Sequence, residues 1–185
     1  MIIIVAAKKL FHEEGVDAVS MRRIAAEVGM GAMTLYKYFN NKRDILHFIW
    51  DEFFTELLNK LNDIVNSELT DKELFKQLHH TYLHYWVNNP NNFRMVFLNE
   101  DSGDNQDNYF VDRSSIENKM LEIFLPAISQ TLKGLEEEEM KLIMQSLLCF
   151  MNGIALNLIT ISEYNWPSHF DLLELHLNLI LDKYN

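Results

Sequence analysis

The sequence predicts an all-α chain of about nine helices, and three observations carry that expectation. Apolar residues recur at helical spacing in almost every segment, and none shows a sustained two-residue alternation. Capping residues, glycines and prolines fall between the periodic segments, where helices start and stop. The composition is ordinary for a globular chain, with 48% hydrophobic and 23% charged residues, six Gly and three Pro in 185 positions. That balance excludes collagen-like, low-complexity and fully disordered classes.

Taken in order, Ile3, Ala6, Ala7, Leu10 and Phe11 form one stripe of a first helix over residues 2–14, which Gly15 ends. Ser20 caps a short helix through Val28, stopped by Gly29, and a second short helix runs from about Ala32 to Phe39. Asn41 starts a long helix to about Ser67, its core side made of Ile45, Leu46, Ile49, Phe53, Leu57, Leu61 and Ile64. Thr70 with Glu73 is a capping box, opening a helix that Asn88, Asn89 and Pro90 close. A shorter helical piece covers Phe93–Leu98. The polar, acidic stretch Glu100–Asn108 reads as a loop. Ser114 with Glu117 is a second capping box, for a helix to about Leu132 that Pro126 bends or interrupts. Gly134 precedes a helix over Glu136–Glu163, and Pro167 and Ser168 lead into the last one, Phe170–Tyr184. The chain shows no internal repeat.

The net charge of −11 conceals an asymmetry. Residues 1–43 carry seven basic and four acidic residues, a net +3, which leaves −14 on the remainder. A basic head on an acidic body suggests two parts with different partners. One cysteine, Cys149, excludes an intramolecular disulfide framework and fits a reducing compartment. Met1 is followed at once by an apolar run and only then by Lys8 and Lys9, the reverse of an export signal. The expected location is the cytoplasm.

Within the head, residues 20–39 (SMRRIAAEVGMGAMTLYKYF) place two short helices on either side of Gly29. A helix-turn-helix needs a residue tolerant of the turn, and small side chains where the helices meet. Ala25 and Ala26 supply the small contacts, and Ile24, Val28 and Leu35 the core. Thr34, Tyr36, Lys37 and Tyr38 are hydroxyl and amine groups suited to phosphates, and base edges are read near the helix N-terminus. The bland alternative, a plain helical hairpin with aromatic core residues, loses to the local positive charge and the Tyr-Lys-Tyr run.

The stretch VAAKKLFHEEGVDAVSMRRIAAEVGMGAMTLYKYFNNKRDIL resembles the DNA-binding domain of the tetracycline-repressor (TetR) family. The tokens LF…G, IAAEVG, TLYKYF and NKRDIL stand in that family's order and spacing, over about the first quarter of the chain. The resemblance implies a three-helix DNA-binding domain over residues 1–43 and a ligand-binding and dimerisation domain over 44–185. It implies phosphate contacts at Thr34, Tyr36, Tyr38 and Lys42, and base-facing positions at Arg22, Gly31, Ala32, Met33 and Lys37. Lys42 makes independent sense, because helix N-termini offer positive potential to a phosphate. Two departures stand out. The family usually has a small polar residue at the position of Gly31, and Gly or Pro at that of Met33. Specific readout is therefore expected to lean on Arg22 and Lys37, because Ala32 and Met33 can touch a thymine methyl but cannot hydrogen-bond a base. The family also often carries a basic arm before the first helix, and this chain begins inside that helix.

The body is rich in aromatic residues and methionine. The resemblance implies a small-molecule pocket among His79, Tyr82, Trp86, Phe93, Phe97, Met120 and Phe124, roofed by the fourth helix. Each of these taken singly also reads as ordinary core. Such a pocket favours a flat or elongated apolar ligand with a few polar handles. His79, His80 and His84 invite a metal reading, but Glu73, Gln77, His80, His84 and Asn88 fall on one strip that reads as the solvated face. His79 instead borders Phe75, Tyr82, Leu83 and Trp86. No metal or other cofactor is expected.

Residues 142–162 carry no charge over 21 positions, long enough to span a bilayer. Gln145, Asn152 and Asn157 are costly in lipid and no basic cluster flanks the run, so burial on two sides is the better reading. The last helix is also apolar on two sides. Two copies packing these helices as a four-helix bundle would cover them, through Leu147, Met151, Ile154, Leu158, Leu173, Leu177 and Ile180. The resemblance implies the same homodimer. Together these readings give a sequence-specific regulator, a repressor released from an inverted-repeat DNA operator by a small apolar or aromatic effector, with no enzyme activity and no membrane. The alternatives are an activator with the same head, or a helical metal-binding or enzymatic bundle.

Overall fold

The computed structural model describes residues 2–98 and 110–184, the side chains of 110–115 and 117 excepted. Among the described residues it holds nine helices and no strand. They are α1 (Ile2–Glu14), α2 (Met21–Glu27), α3 (Ala32–Leu35), α4 (Lys42–Val65), α5 (Asp71–Asn88), α6 (Pro90–Phe97), α7 (Phe110–Thr131), α8 (Glu137–Thr160) and α9 (His169–Tyr184). The expected all-α architecture is what the chain adopts. The expected loop Glu100–Asn108 lies outside the described residues.

The chain divides into two compact units. The first takes the described residues up to Glu56 and those from Asn91 to Leu98. The second takes Leu57–Pro90 and the described residues from 110 onward. The boundary expected after residue 43 thus falls near the start of α4, whose first fifteen residues belong to the first unit.

In the first unit α1 packs against α2 and α2 against α3, around fully buried Leu10, Ile24, Leu35, Ile45 and Ile49. Trp50 on α4 donates its indole N–H to the Met95 carbonyl at 2.9 Å. His12 hydrogen-bonds the side chain of buried Asn92, and burial holds its pKa below the usual histidine value. A fourth and a sixth helix therefore brace the three short ones, as helices too short for independent stability require.

The second unit is built around α5, which packs against α7, α8 and α9. Its start is the expected capping box: Thr70 Oγ1 accepts from the Glu73 N–H at 3.4 Å, and Glu73 accepts from the Thr70 N–H at 3.0 Å. Thr131 at the end of α7 donates its hydroxyl to the Asp71 carbonyl at 2.9 Å, tying α7 to the first turn of α5. The other expected helix start lies elsewhere: α7 begins at Phe110, so Ser114 is inside the helix rather than at its N-cap. The same helix runs on through Pro126 to Thr131.

The polar strip of α5 is also covered more than its sequence suggests. Glu174 of α9 pairs with Lys76 and accepts from His80 Nε2 at 3.0 Å, and the His80 ring packs 5.4 Å from that of Phe170. His80 is half-buried rather than solvated, while Glu73, Gln77, His84 and Asn88 remain exposed. Pairing to α9 leaves no periodic trace in α5, which is why the strip reads as open.

α8 is long and apolar enough to cross a membrane by composition alone, but it lays one stripe (Ile143, Leu147, Met151, Ile154, Ala155 and Ile159) against its neighbours in this unit. This places five of the seven residues expected at a partner surface inside the single chain. Leu147, Met151, Ile154, Leu173 and Leu177 are buried, and Leu158 and Ile180 are half-buried. Side chains already removed from water have no area left for a partner. The exposed apolar side chains are others: Leu142, Leu148 and Leu156 on α8, Leu175 and Leu179 on α9.

Candidate nucleic-acid interface and effector core

The head geometry begins with local capping. Ser20 Oγ accepts from the Arg23 N–H at 3.2 Å and starts α2. Gly29 ends it in a left-handed conformation, φ +70°, where a Cβ would be strained. The Met30 N–H reaches the Ala25 carbonyl at 2.9 Å and the Gly29 N–H the Ala26 carbonyl at 3.1 Å, the paired bonds of a Schellman turn. The chain then re-enters a helix at Gly31, which caps α3 with no side-chain hydrogen bond. α3 is one turn long, shorter than the expected run to Phe39. The Tyr38 and Phe39 N–H groups both turn back on the Leu35 carbonyl at 2.9 and 3.1 Å. Asn41 caps the next helix, its Oδ1 accepting from the Asp44 N–H at 2.9 Å.

This framework turns one row of side chains outward. Met33 is 80% exposed, Tyr38 68% and Tyr36 47%, and Arg22, Gly31, Thr34 and Lys37 are exposed as well. Ala32 is half-buried beside them. Large apolar and aromatic groups held in water without a partner mark an interaction surface. Lys42 is different: half-buried, it donates Nζ to the Val16 carbonyl at 2.5 Å. The same Nζ also reaches the Asp17 carbonyl at 3.5 Å, so of its three protons one is left for a phosphate contact.

The head's other cations are largely committed. Arg23 pairs with Glu27 at 2.8 Å and Glu14 at 3.0 Å, Lys9 with Glu27 at 3.2 Å, and Lys8 with Glu52 at 3.6 Å. The Arg23 guanidinium and then the Lys9 ammonium hold the Glu27 carboxyl below its usual range. Among the described residues, Arg22 and Lys37 make no ion pair. The Lys9–Glu27–Arg23–Glu14 network clamps α1 to α2. Charge counting missed it, because it counts Lys9 and Arg23 as available cations when they are neutralised in place.

In the second unit, His79, Tyr82, Trp86 and Phe124 are buried together. The His79 ring lies 4.6 Å from Phe75 and 5.0 Å from Phe124. Tyr82 packs edge-on to Trp86 at 6.3 Å and to Phe124 at 6.4 Å, and donates its hydroxyl to Asn152 Oδ1 at 3.0 Å. Burial raises the Tyr82 pKa well above the usual phenol range, so the group stays neutral. Met120 is half-buried on α7. Phe93 and Phe97, with rings 4.7 Å apart, belong to the first unit. A cavity of about 500 Å³ opens elsewhere in the second unit. Leu58, Asn62 and Val65 of α4, Leu74 of α5, and Lys119, Glu122, Ile123, Pro126, Ala127 and Gln130 of α7 line it. None of the seven expected pocket residues lines this cavity. Among the described residues, no group of three or more His, Cys, Asp or Glu side chains is arranged to hold a metal ion.

Residues 3–49 match the family described as bacterial regulatory proteins, tetR family. The match covers the N-terminal segment, about a quarter of the chain. A curated HTH-type transcriptional regulator of Staphylococcus aureus (strain bovine RF122 / ET3-1) is 37% identical over 70 residues, 38% of each chain. Another, from strain USA300, is 51% identical over 43 residues, 23% of each. The chain thus spans well under half the length of the curated relatives it matches. Solved structures extend the likeness to the whole fold. FadR from Bacillus subtilis, solved in complex with stearoyl-CoA, has a TM-score of 0.75 at 18% identity, over 97% of this chain and 96% of that one. A TetR/AcrR-family regulator from Thermobifida fusca has a TM-score of 0.69 at 21% identity, over 99% and 96%.

The tetR-family match coincides with the exposed row. Every residue expected to face DNA lies within residues 3–49, as does the ion-pair clamp except for Glu52, the partner of Lys8. The body is where the cavity departs from the expected residues. Its lining mixes short aliphatic side chains with Lys119, Glu122 and Gln130. An aromatic-rich search of the sequence passes over that pattern.

Proposed function

We propose that the chain is a homodimeric DNA-binding transcriptional regulator, acting as a repressor released from an inverted-repeat operator by a small, largely apolar or aromatic effector. The observation that carries this reading is the row of exposed groups on a capped, clamped helix-turn-helix. Met33, Thr34, Tyr36, Lys37 and Tyr38 stand outward with Arg22, while Lys8, Lys9 and Arg23 are held in ion pairs. α3 enters a major groove, Arg22 and Lys37 read base edges, and Thr34, Tyr36, Tyr38 and Lys42 hold phosphates. The protein has no enzymatic role and works in the cytoplasm, with DNA.

Dimerisation uses the exposed stripe Leu142, Leu148, Leu156, Leu175 and Leu179, two helices from each copy forming a four-helix bundle. Two heads then read half-sites about one helical turn (~34–36 Å) or slightly more apart. The effector enters the cavity beside α4, a helix that continues without a break from Val65 back to Lys42 in the head. FadR from B. subtilis, of similar fold, is described with stearoyl-CoA, and the aliphatic lining here suits an apolar group. The effector releases DNA only by its differential affinity for the conformer that does not bind.

Fluorescence anisotropy of the full chain on a random-sequence duplex tests the reading. Binding at low salt is expected, falling with a log–log salt slope on the order of −2 for one phosphate-contacting lysine in each of two heads. No binding at low salt would overturn it.

A further inference from the structure

His79 is fully buried, 0% exposed, and only half of its imidazole is satisfied. Nδ1 lies 2.6 Å from the Phe75 carbonyl oxygen. A carbonyl only accepts, so Nδ1 carries the proton and Nε2 is a bare lone pair. Nε2 is buried with no hydrogen-bond partner. A native core rarely leaves such an atom orphaned without a reason. Burial pushes the pKa down to about 4, and neighbouring His80 acts in the same direction, while the Phe75 carbonyl opposes them. At neutral pH the ring therefore offers one acceptor, no further donor and no charge.

The surroundings connect this atom to the cavity. Phe124, edge-on to His79 at 5.0 Å, is one turn before Ala127, and Phe75 on the other flank follows Leu74. Ala127 and Leu74 both line the cavity of about 500 Å³, a volume ordinary for a small-molecule site. An occupant of the cavity would reach Nε2 by a swing of the Phe124 ring, a two-torsion change.

We propose that His79 is the polar anchor of the effector site, its Nε2 accepting a hydrogen bond from the O–H or N–H of a neutral, apolar or aromatic ligand. The proposal rests on the reading of the second unit as an effector domain and names the ligand class within it. Phenols, indoles and alcohols fit. A carboxylate does not, because it brings no proton to Nε2 and places a charge among aromatic rings.

The test titrates the full chain at pH 7.5 with phenol, with toluene (the same shape lacking the donor) and with benzoate. Calorimetry reads affinity, and the ¹⁵N resonance of His79 Nε2 reads the contact in the unmutated protein. Phenol is expected to bind about tenfold more tightly than toluene, with benzoate weakest, and to shift the Nε2 resonance. His79→Phe keeps toluene binding and brings the phenol-to-toluene ratio to about one. Equal binding of phenol and toluene with the Nε2 resonance unmoved overturns the anchor and leaves the effector reading intact, as does preferred binding of benzoate. Binding of none of the three overturns the effector reading itself, and the anchor with it.

Discussion

The head and the body are both rich in apolar residues, yet they use them differently. In the head the apolar side chains sort cleanly: Leu10, Ile24 and Leu35 go in, and Met33, Tyr36 and Tyr38 stay out on a surface fixed by caps and ion pairs. In the body, α8 and α9 are apolar on two sides, and only packing decides which side is core. Where a face is chosen by local hydrogen bonds, function follows from sequence. Where it is chosen by long-range packing, it does not.

The largest effect should separate the two apolar sides of the body. Leu177→Glu puts a charge into a fully buried site and is expected to unfold the second unit, while Leu177→Ala should cost about 2–5 kcal/mol. Leu175→Glu, on the 63% exposed side, should leave the melting curve nearly unchanged and shift the sedimentation profile from dimer to monomer. A folded Leu177→Glu dimer would erase the distinction.

Next comes acid sensitivity, which belongs to the body. His79 is neutral when folded down to a pKa of about 4, whereas the unfolded chain takes the proton near 6.5. The unfolded state thus binds more protons between those values, and stability falls as pH drops through that window. The share due to His79 should be about 2 kcal/mol between pH 7.5 and pH 5. Urea titrations at the two pH values should show His79→Phe less acid-sensitive by about that amount. Glu174, held low first by Lys76 and then by His80, acts at lower pH: its contribution is present above the ordinary carboxylate range and lost below it.

In the head, Lys37→Ala should weaken the selected operator by about 1–3 kcal/mol and random duplex much less. Tyr38→Ala should weaken both alike. Competition anisotropy with the two duplexes distinguishes them, and an equal loss for Lys37→Ala would remove its base-reading role. The smallest effect is expected at Gly31. A Cβ there meets nothing nearer than Thr34 Oγ1 at 3.9 Å, and α3 lacks a side-chain cap. Gly31→Ser should therefore raise stability by a few tenths of a kcal/mol by supplying one.

Much of the fold was legible because its signals are local. Ser20, Gly29 and Thr70 with Glu73 each declare a helix end by chemistry within a few residues. Ser114 with Glu117 shows the limit: no glycine or proline at residues 110–113 stops the helix from starting earlier, so a capping pattern alone does not set its start. The exposed row of the head was legible for the same reason as the caps. The pairs Arg23–Glu14 and Lys9–Glu27 of the clamp were not, since pairing between α1 and α2 has no fixed spacing. The aromatic residues around His79 read singly as core and as a set as a pocket, whereas the cavity is lined by residues such as Leu58, Ile123 and Ala127, which periodicity cannot tell from any other buried aliphatics.

The central claim is that a paired head reads one DNA sequence. Selection of the full chain against a random duplex library, followed by sequencing, tests it most directly. The account predicts enrichment of a single inverted repeat, with half-sites about one helical turn (~34–36 Å) or slightly more apart. Enrichment of no sequence at either low or moderate salt would contradict it.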